Sequence, residues 1–445
     1  MPSRRRWAVP SVLLITYEFP PKGGPGVQRP LKTAKYLSRM GWDVTVLTVK
    51  DPLGGMMDDT LLAELPPEVR VERAWSLEPT RLVAALRRLK GARRADGGAG
   101  VASGTRGYTS LPHGAIRFVQ AFFVPDEKVG WTPWAVAAAR RVHAEAPVDV
   151  ILASGPPFSA YGVAWRVSRR LGVPWVADVR DPIVGGYFFR PPTPVHDWAM
   201  RRYEQKVVHR AHAIVTVTDG IGSGIAQRSP AGRMPLVTIP NGFDPDDFED
   251  LAREPHAGFV LAYVGTFQGT IQPRTLLAAV KSLESRGSSV VRDLRIRFVG
   301  VQDPESSEAV RSYGLEGFVE RTGYVDHAEA IREMAAADVL LLVLGPEAES
   351  SAILTGKLPE YLAAGRPVLA LVPEGVAADV VQRTGAGEVV HPEDVEAAAQ
   401  ALERLHSKWL SGGLPEPNPE VVSEFDRSRQ VARVSEMLEQ VVGSG

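Results

Sequence analysis

The feature that most constrains the fold of this chain is the stretch of residues 355–371, with the sequence TGKLPEYLAAGRPVLAL. It begins with a polar turn, continues as a short helical pattern that carries Glu360, and meets a helix stop at Gly365. The apolar run 368–372 follows a Gly-Arg-Pro turn, which is typical of a parallel strand covered on both faces. The stretch therefore predicts one helix-to-strand unit of an α/β sheet.

The start of this predicted helix has the chemistry of a nucleotide-diphosphate site. The N–H groups of Gly356 and Lys357 have no acceptor within the helix, and with the positive end of the helix dipole they attract phosphate. The carboxylate of Glu360 can accept two hydrogen bonds from vicinal ribose hydroxyls. A plainer interpretation is also open, in which Glu360 only caps the helix and Lys357 is a solvated charge.

Length and composition restrict the remaining possibilities. A chain of 445 residues exceeds one ordinary core, so we expect two domains of roughly 200 residues each. A net charge of −1 argues against nucleic-acid binding, and the absence of cysteine excludes disulfides and thiolate metal sites. The start of the chain does not match a signal peptide, and no run approaches the roughly 20 apolar residues of a membrane span. The sequence therefore predicts a cytoplasmic protein.

The N-terminal part begins as a strand, a glycine-rich loop, a helix and a second strand. We predict strands at 12–17 and 43–49 and a helix at about 30–40, an order that implies a parallel sheet. The loop PPKGGPGVQR is not a dinucleotide fingerprint, because Arg29 stands where the third glycine would be needed. Either its backbone approaches a bound group, or it is a plain surface loop. The residues assigned to that contact are Gly24, Gly26, Gln28 and Arg29.

Charged side chains follow a later buried strand. The apolar run 175–179 leads into an Arg-Asp-Pro turn, so Asp178, Arg180 and Asp181 fall at the carboxyl end of a parallel strand. Open α/β sheets bind their ligands at that edge. The three side chains either serve as an acid, an anion contact and an orienting group, or form a local ion pair that closes the turn.

A basic amphipathic segment occupies residues 80–94. Its leucines fall on one helical face, and Lys and Arg side chains surround them, the first being Arg81 and the last Arg94. Such a helix either lies on an anionic bilayer, here the inner face of the plasma membrane, or packs its leucines on its own domain. The residues at about 91–107 are rich in Gly, Ser and Ala and predict a mobile loop.

The second half of the chain repeats the α/β pattern. An acidic, proline-containing stretch at 244–254 is the predicted interdomain linker, and a proline-rich break at 414–419 precedes a last helix. The domains predicted from these breaks are 1–245, 258–420 and a C-terminal helix within 421–445.

These segments together resemble the GT-B-fold glycosyltransferases of the retaining family-4 type, the glycosyl transferases of group 1. The resemblance rests on FPPKGGPGVQRPLKTAKYLSRMGWDVTVLT, VTIPNGFD, YVGTF, RTGYV and TGKLPEYLAAGRPVLAL, in that order. It implies an α/β protein of two Rossmann-like domains that face each other across a cleft. The C-terminal domain would bind the sugar nucleotide, the N-terminal domain would present the acceptor, and the last helix would cross back to the N-terminal domain.

The resemblance also assigns roles to individual residues. Glu360 matches the second glutamate of the family's E-x7-E motif, which binds ribose hydroxyls, and Val325 lies in the stretch that meets the base. Gly24 and Gly26 belong to the loop that closes over the diphosphate. The resulting donor-site residues are Glu360, Gly356, Thr266, Arg274 and Val325. The expected catalytic residues are Lys357, Arg180 and Asp181.

Three positions depart from the family pattern. Ala352 stands where the first glutamate of the motif would fall, and Arg180 stands where the family often has a histidine. The Arg and Lys that commonly follow the first strand of the second domain are missing from GTFQGT. Neutralisation of the phosphates then falls to Thr266, Lys357 and Arg274.

The resemblance implies transfer of a sugar from a nucleotide-diphosphate sugar to an acceptor hydroxyl, with retention and without a metal ion or other cofactor. The partners would be a nucleotide sugar and a glycan or lipid-linked acceptor, used in surface polysaccharide or glycolipid assembly. Two alternatives are a sugar-nucleotide epimerase of the same fold and, because of Ala352, a non-catalytic protein that binds nucleotide sugars. The base, the sugar, the acceptor and the oligomeric state depend on pocket contacts and surfaces that this sequence does not specify.

Overall fold

The computed structural model describes residues 9–51, 57–78, 123–185, 191, 193–229, 234–249, 251, 256–267 and 269–444. The chain divides into two compact units. Unit 1 consists of two segments, Met1–Ile239 and Val431–Gly445, and unit 2 is Pro240–Gln430. The predicted basic helix at 80–94 and the predicted loop at about 91–107 lie outside the described residues.

Unit 1 is built on a parallel sheet of seven strands in the order β3-β2-β1-β4-β5-β6-β7. The strands are β1 (Ser11–Thr16), β2 (Asp43–Val49), β3 (Arg70–Ala74), β4 (Val150–Gly155), β5 (Trp175–Val179), β6 (Ala213–Thr216) and β7 (Leu236–Thr238). The helices that accompany them are α1 (Pro25–Arg39), α2 (Thr132–Glu145), α3 (Ser159–Leu171), α4 (Pro194–Arg210) and α5 (Asp219–Arg228).

Unit 2 is built on a second parallel sheet, of six strands in the order β10-β9-β8-β11-β12-β13. The strands are β8 (Phe259–Val264), β9 (Leu294–Val299), β10 (Val319–Gly323), β11 (Val339–Val343), β12 (Val368–Leu371) and β13 (Gly387–Val390). The helices are α6 (Arg274–Ser285), α7 (Val290–Asp293), α8 (Pro304–Ser312), α9 (His327–Ala336), α10 (Lys357–Ala363), α11 (Val376–Thr384), α12 (Val395–Leu410), α13 (Pro419–Ser423) and α14 (Arg427–Gly443), the last of which continues into unit 1.

Each sheet is covered on both faces, as the apolar strands predict. Along β1, Leu13 and Ile15 belong to one hydrophobic cluster and Val12 and Leu14 to another, because successive side chains of a strand point to opposite faces. The residues of β8 alternate in the same way between the two clusters of unit 2. Both sheets follow the Rossmann strand order, with a reversal between β1 and β4 and between β8 and β11. The prediction of two Rossmann-like domains is confirmed.

The last helix completes the core of unit 1. Trp42 donates its indole N–H to Ser435 over 2.8 Å, and Arg433 donates to the carbonyl of Thr238 over 3.0 Å. The apolar side chains that α14 adds to the cluster around Val12 and Leu14 are Val431, Val434, Met437, Leu438 and Val441.

The boundary between the units precedes the predicted linker. Residue 243 is already tied into unit 2, since Phe243 N–H donates to Phe425 O over 3.0 Å and Arg427 N–H donates to Phe243 O over 2.9 Å. These backbone bonds explain why unit 2 starts at Pro240 rather than after 254.

Two elements of unit 1 differ from the sequence prediction. Helix α1 begins at Pro25 and not near residue 30, so of the four residues assigned to the loop contact Gly26, Gln28 and Arg29 are helical and Gly24 alone precedes the helix. Gly24 has φ +100°, which a glycine adopts without strain, and Pro25 is preorganised for the first helical position. The charged strand β3, with the sequence RVERA, was not predicted, because an edge strand need not bury both faces.

No helix in the described ranges is long and apolar enough to cross a bilayer.

Candidate active site

Glycines end three neighbouring strands of unit 2 at the carboxyl edge of the sheet. Gly265 follows β8 with φ +142°, Gly300 follows β9 with φ +115°, and Gly323 closes β10 with φ +74°. These values favour glycine. A Cβ on Gly300 would lie 2.5 Å from the carbonyl oxygen of Gly265, so the backbones approach too closely for a side chain there. This edge, beside the strand-order reversal, is where open α/β sheets bind ligands.

Lys357 lies directly against this backbone. Its Nζ donates to the Tyr263 hydroxyl over 2.7 Å and lies 4.2 Å from the centroid of that ring. Tyr263 in turn donates to the carbonyl of Thr266 over 3.0 Å. A Cβ on Gly265 would overlap the Nζ and Cε atoms of Lys357. The first residue of α10 therefore places an ammonium group at the end of β8.

Burial makes this ammonium unusually acidic. Desolvation lowers the pKa of Lys357 to about 8, and the nearby carboxylate of Glu360 opposes that shift. A bound anion, like Glu360, would raise the pKa of Lys357. A phosphate bound beside Lys357 would therefore stabilise the charged form of this side chain.

Tyr361 fixes α10 to the end of β8. Its hydroxyl accepts from Val264 N–H over 3.0 Å and donates to Val264 O over 3.2 Å. Burial raises the pKa of Tyr361, so the phenol stays protonated. Glu360 lies in the first turn of α10, and Gly365 ends that segment with φ +69°, both as predicted. The helix spans seven residues, so Lys357 rather than a long helix dipole supplies the charge.

The other predicted donor-site residues have different surroundings. Gly356 is the N-cap of α10, and Thr266 is connected to Lys357 through Tyr263. Val325 packs against a hydrophobic cluster of unit 2. Arg274 is exposed and forms an ion pair with Glu305 at 3.0 Å, so its charge is already matched.

The corresponding edge of unit 1 contains a buried ion pair. Arg29 donates through Nε to both carboxylate oxygens of Asp178 over 3.0 Å and through Nη2 over 2.8 Å, and Ser154 donates to the same carboxylate over 2.7 Å. Burial pushes the pKa of Asp178 upward, but Arg29 foremost, together with the charge of Arg180 and the hydrogen bond from Ser154, brings it below its usual value. Arg29 thereby ties α1 to β5.

Among the described residues Arg180 forms an ion pair with neither Asp178 nor Asp181, so the turn is not closed by the local ion pair that was one of the two interpretations. The Arg180 guanidinium donates to three carbonyls, those of Gly155 over 3.2 Å, Gly26 over 2.6 Å and Pro156 over 2.6 Å. These long-range acceptors, which the sequence does not reveal, direct Arg180 toward the backbone. Asp181 is half-buried, and desolvation raises its pKa despite the opposing charge of Arg180.

Comparison with known families identifies both units. A family described as "Glycosyl transferase 4-like domain" matches residues 23–242, and one described as "Glycosyl transferases group 1" matches residues 258–408. The chain belongs to the group 1 glycosyl transferases of the family-4 type. No curated protein sequence matches this glycosyltransferase.

Solved structures share the fold over nearly the whole chain. Sucrose-phosphate synthase from Thermosynechococcus elongatus is 18% identical, with a TM-score of 0.65 over 98% of this chain and 100% of that chain. HepE from Anabaena, solved in complex with UDP-glucose, is 15% identical, with a TM-score of 0.61 over 97% and 99%. WaaG, described as a glycosyltransferase involved in lipopolysaccharide biosynthesis, is 15% identical, with a TM-score of 0.58 over 96% and 99%. These matches confirm the predicted GT-B fold class of this glycosyltransferase.

Sequence reasoning missed the two tyrosines that position Lys357 in this glycosyltransferase. Tyr361 could have been found, because it lies four residues after Lys357 on the same helical face. Tyr263 is 94 residues away in the sequence, and no local pattern connects it to Lys357. Thr355 was also missed: its Oγ1 is buried without a hydrogen-bond partner among the described residues.

Proposed function

We propose that unit 2 of this glycosyltransferase binds a nucleotide-diphosphate sugar at the edge formed by Gly265, Lys357 and Glu360. The sugar is then transferred, with retention, to an acceptor hydroxyl in surface polysaccharide or glycolipid assembly. The observation that carries the proposal is the ammonium of Lys357, held against the glycine backbone at the end of β8.

The chemistry of Lys357 supports a diphosphate ligand. An ammonium has three N–H donors, and among the described residues Tyr263 accepts one of them from Lys357. The other donors are available to phosphate oxygens. When the glycosidic bond breaks, negative charge grows on the leaving diphosphate, and a positioned cation stabilises that charge. Lys357 thus supplies charge that a metal ion supplies in other enzymes, which supports the proposal of metal-independent transfer.

The surroundings of Lys357 support a nucleoside on the same ligand. Glu360, three residues further along α10, provides carboxylate oxygens for the ribose hydroxyls. The buried Oγ1 of Thr355 lies one residue before the N-cap of α10, and a buried polar atom without a partner calls for one. A donor such as UDP-glucose, which HepE binds, meets these requirements.

The acceptor side of the proposal rests on unit 1 and on the relatives. Asp181 provides a half-buried carboxylate of raised pKa at the carboxyl edge of that sheet, a position suited to orienting an acceptor hydroxyl. WaaG is described as acting in lipopolysaccharide biosynthesis, which supports a cell-surface glycan or glycolipid as the product. Retention rests on the family resemblance.

The test is sugar transfer from a panel of labelled UDP, GDP and dTDP sugars into lipid and glycan fractions, with EDTA present. We expect one donor to label an acceptor fraction, and Glu360→Gln to lower that rate because ribose binding is weakened. Glu316→Gln, an exposed glutamate of unit 2, is the matched control and should leave the rate unchanged.

Two outcomes would overturn the proposal as a whole, and a third would overturn one part of it. Conversion of the sugar while it is still attached to the nucleotide would identify an epimerase instead. Nucleotide binding without any transfer to the acceptor fractions would identify a non-catalytic binding protein. Loss of transfer in EDTA, with recovery on adding Mg²⁺, would overturn the metal-independent part.

A further inference from the structure

Unit 1 contains a pocket of about 300 Å³ between α3 and α4, lined by none of the proposed donor, acceptor or glycine-loop residues. Among the described residues that line it, several are aromatic and the charged ones are all basic. The side chains that give it this character are Trp165, Trp198, Tyr203, Arg166, Arg202 and Lys206.

The three cations of this pocket outnumber the one carboxylate known beside it, that of Asp126, which accepts hydrogen bonds from Ser159. Within the described ranges, no carboxylate forms an ion pair with Arg166, Arg202 or Lys206. The carboxylates of α4 are engaged elsewhere, since Asp197 pairs with Arg201 at 2.7 Å and Glu204 with Arg228 at 2.6 Å. The pocket therefore favours an anionic ligand.

Three cations surround Trp165, one of the residues that line the pocket. The guanidinium of Arg166 lies 5.3 Å from the Trp165 ring centroid, the ammonium of Lys206 5.9 Å, and the guanidinium of Arg210 4.6 Å. The indole Nε1 of Trp165 is buried and has no acceptor among the described residues. Of the three cations, Arg166 and Lys206 line the pocket, and such cations form charge-assisted hydrogen bonds with the oxygens of a phosphate group.

The face of α4 beside the pocket is apolar and unusually exposed. Val195 is 73% exposed and Trp198 65% exposed. The positions 195, 198, 202 and 206 fall on one helical face, so the exposed Val and Trp are continuous with Arg202 and Lys206. An exposed tryptophan next to basic side chains is typical of a surface that meets the headgroup region of a bilayer.

We propose that this pocket binds the phosphate headgroup of an anionic membrane lipid, with Val195 and Trp198 entering the interface. A soluble phosphate would account for the cations but not for the apolar surface beside them. The residues named for this surface do not belong to the basic segment at 80–94, and the proposal does not depend on the identity of the sugar donor.

The test is sedimentation of the full chain with phosphatidylcholine vesicles that contain or lack phosphatidic acid. We expect binding only to the vesicles with phosphatidic acid. Arg202→Gln with Lys206→Gln should weaken it by about 30-fold, because each charge near an anionic surface contributes about 1 kcal/mol. Trp198→Ala should also weaken it, through the loss of interfacial contact.

The matched control is Arg140→Gln with Arg292→Gln, which removes the same charge from exposed arginines outside the pocket. Equal loss of binding in this control would show that vesicle binding depends only on the net charge of the protein, and would overturn the proposal. Unchanged vesicle binding in the Arg202 and Lys206 variant would overturn it as well. If glycerol 3-phosphate binds in an Arg202-dependent manner while vesicles do not, the ligand is a soluble phosphate and the lipid assignment is wrong.

Discussion

At the scale of single residues, the central feature is a lysine whose surroundings disfavour its charged form. Lys357 is desolvated between the Tyr263 ring and the backbone of Gly265, and only Glu360 opposes the lowering of its pKa. Burying an ammonium without a full set of partners costs free energy. A bound phosphate would offset that cost. The ligand-free protein is therefore less stable than it would be with an anion bound beside Lys357.

This environment predicts a pH dependence of nucleotide binding. A bound diphosphate raises the pKa of Lys357 above its free value of about 8, so binding favours the protonated lysine and affinity falls as the pH rises through 8. Between pH 7 and 8.5 we expect the Kd to increase about fourfold, measured by calorimetry. Lys357→Arg keeps its charge throughout and should give a flat profile. The same slope in that variant would show that another group titrates.

At the scale of elements, buried pairs fix helices to the sheets. Arg29 and Asp178 join α1 to β5, and Tyr361 joins α10 to β8. The apolar strands and the parallel sheet could be predicted from local sequence, because burial on both faces demands runs such as VLAL in β12, whereas the Rossmann-like domains were predicted from the family resemblance. The charged edge strand β3 and the acceptors of Arg180 could not, since they depend on partners distant in the chain.

The residues of the candidate site also differ in whether the sequence could predict them. Gly356, Lys357 and Glu360 could be predicted because they lie in one turn of one helix. Tyr263 in β8 and Gly265 just after it, which determine where Lys357 lies, are far away in the sequence.

The pair between α1 and β5 predicts a large stability effect. Asp178→Ala leaves the Arg29 guanidinium buried without its carboxylate, and we expect the free energy of unfolding to fall by about 3–5 kcal/mol. Asp197→Ala removes the partner of the exposed Arg201 and should cost no more than about 1 kcal/mol. Urea denaturation of both variants measures the difference. Equal effects would mean that the buried pair contributes no more than a surface one.

At the scale of the whole molecule, unit 1 is completed by residues that follow unit 2 in the chain. The segment Val431–Gly445 belongs to unit 1, and its buried side chains include Val431, Leu438 and Val441. Fully burying one such side chain contributes roughly 1.5–3 kcal/mol, so several together approach the total stability of a domain.

Truncation tests this dependence. A chain that ends at residue 430 should lose cooperative unfolding of unit 1 and aggregate, because the cluster around Val12 and Leu14 becomes exposed. A chain that ends at residue 442 keeps the buried part of α14 and should unfold at the temperature of the full chain. A soluble, cooperatively folded 1–430 chain would show that the last helix is not needed for this core.

The most direct test of the donor site is calorimetric titration with UDP, GDP and dTDP of the unaltered protein, Glu360→Gln and Glu316→Gln. We expect one nucleoside diphosphate to bind and Glu360→Gln to weaken it at least about tenfold, since two hydrogen bonds to a charged acceptor are lost. Glu316→Gln should bind like the unaltered protein. If no nucleoside diphosphate binds, or if both variants bind as the unaltered protein does, the edge formed by Gly265, Lys357 and Glu360 is not the donor site.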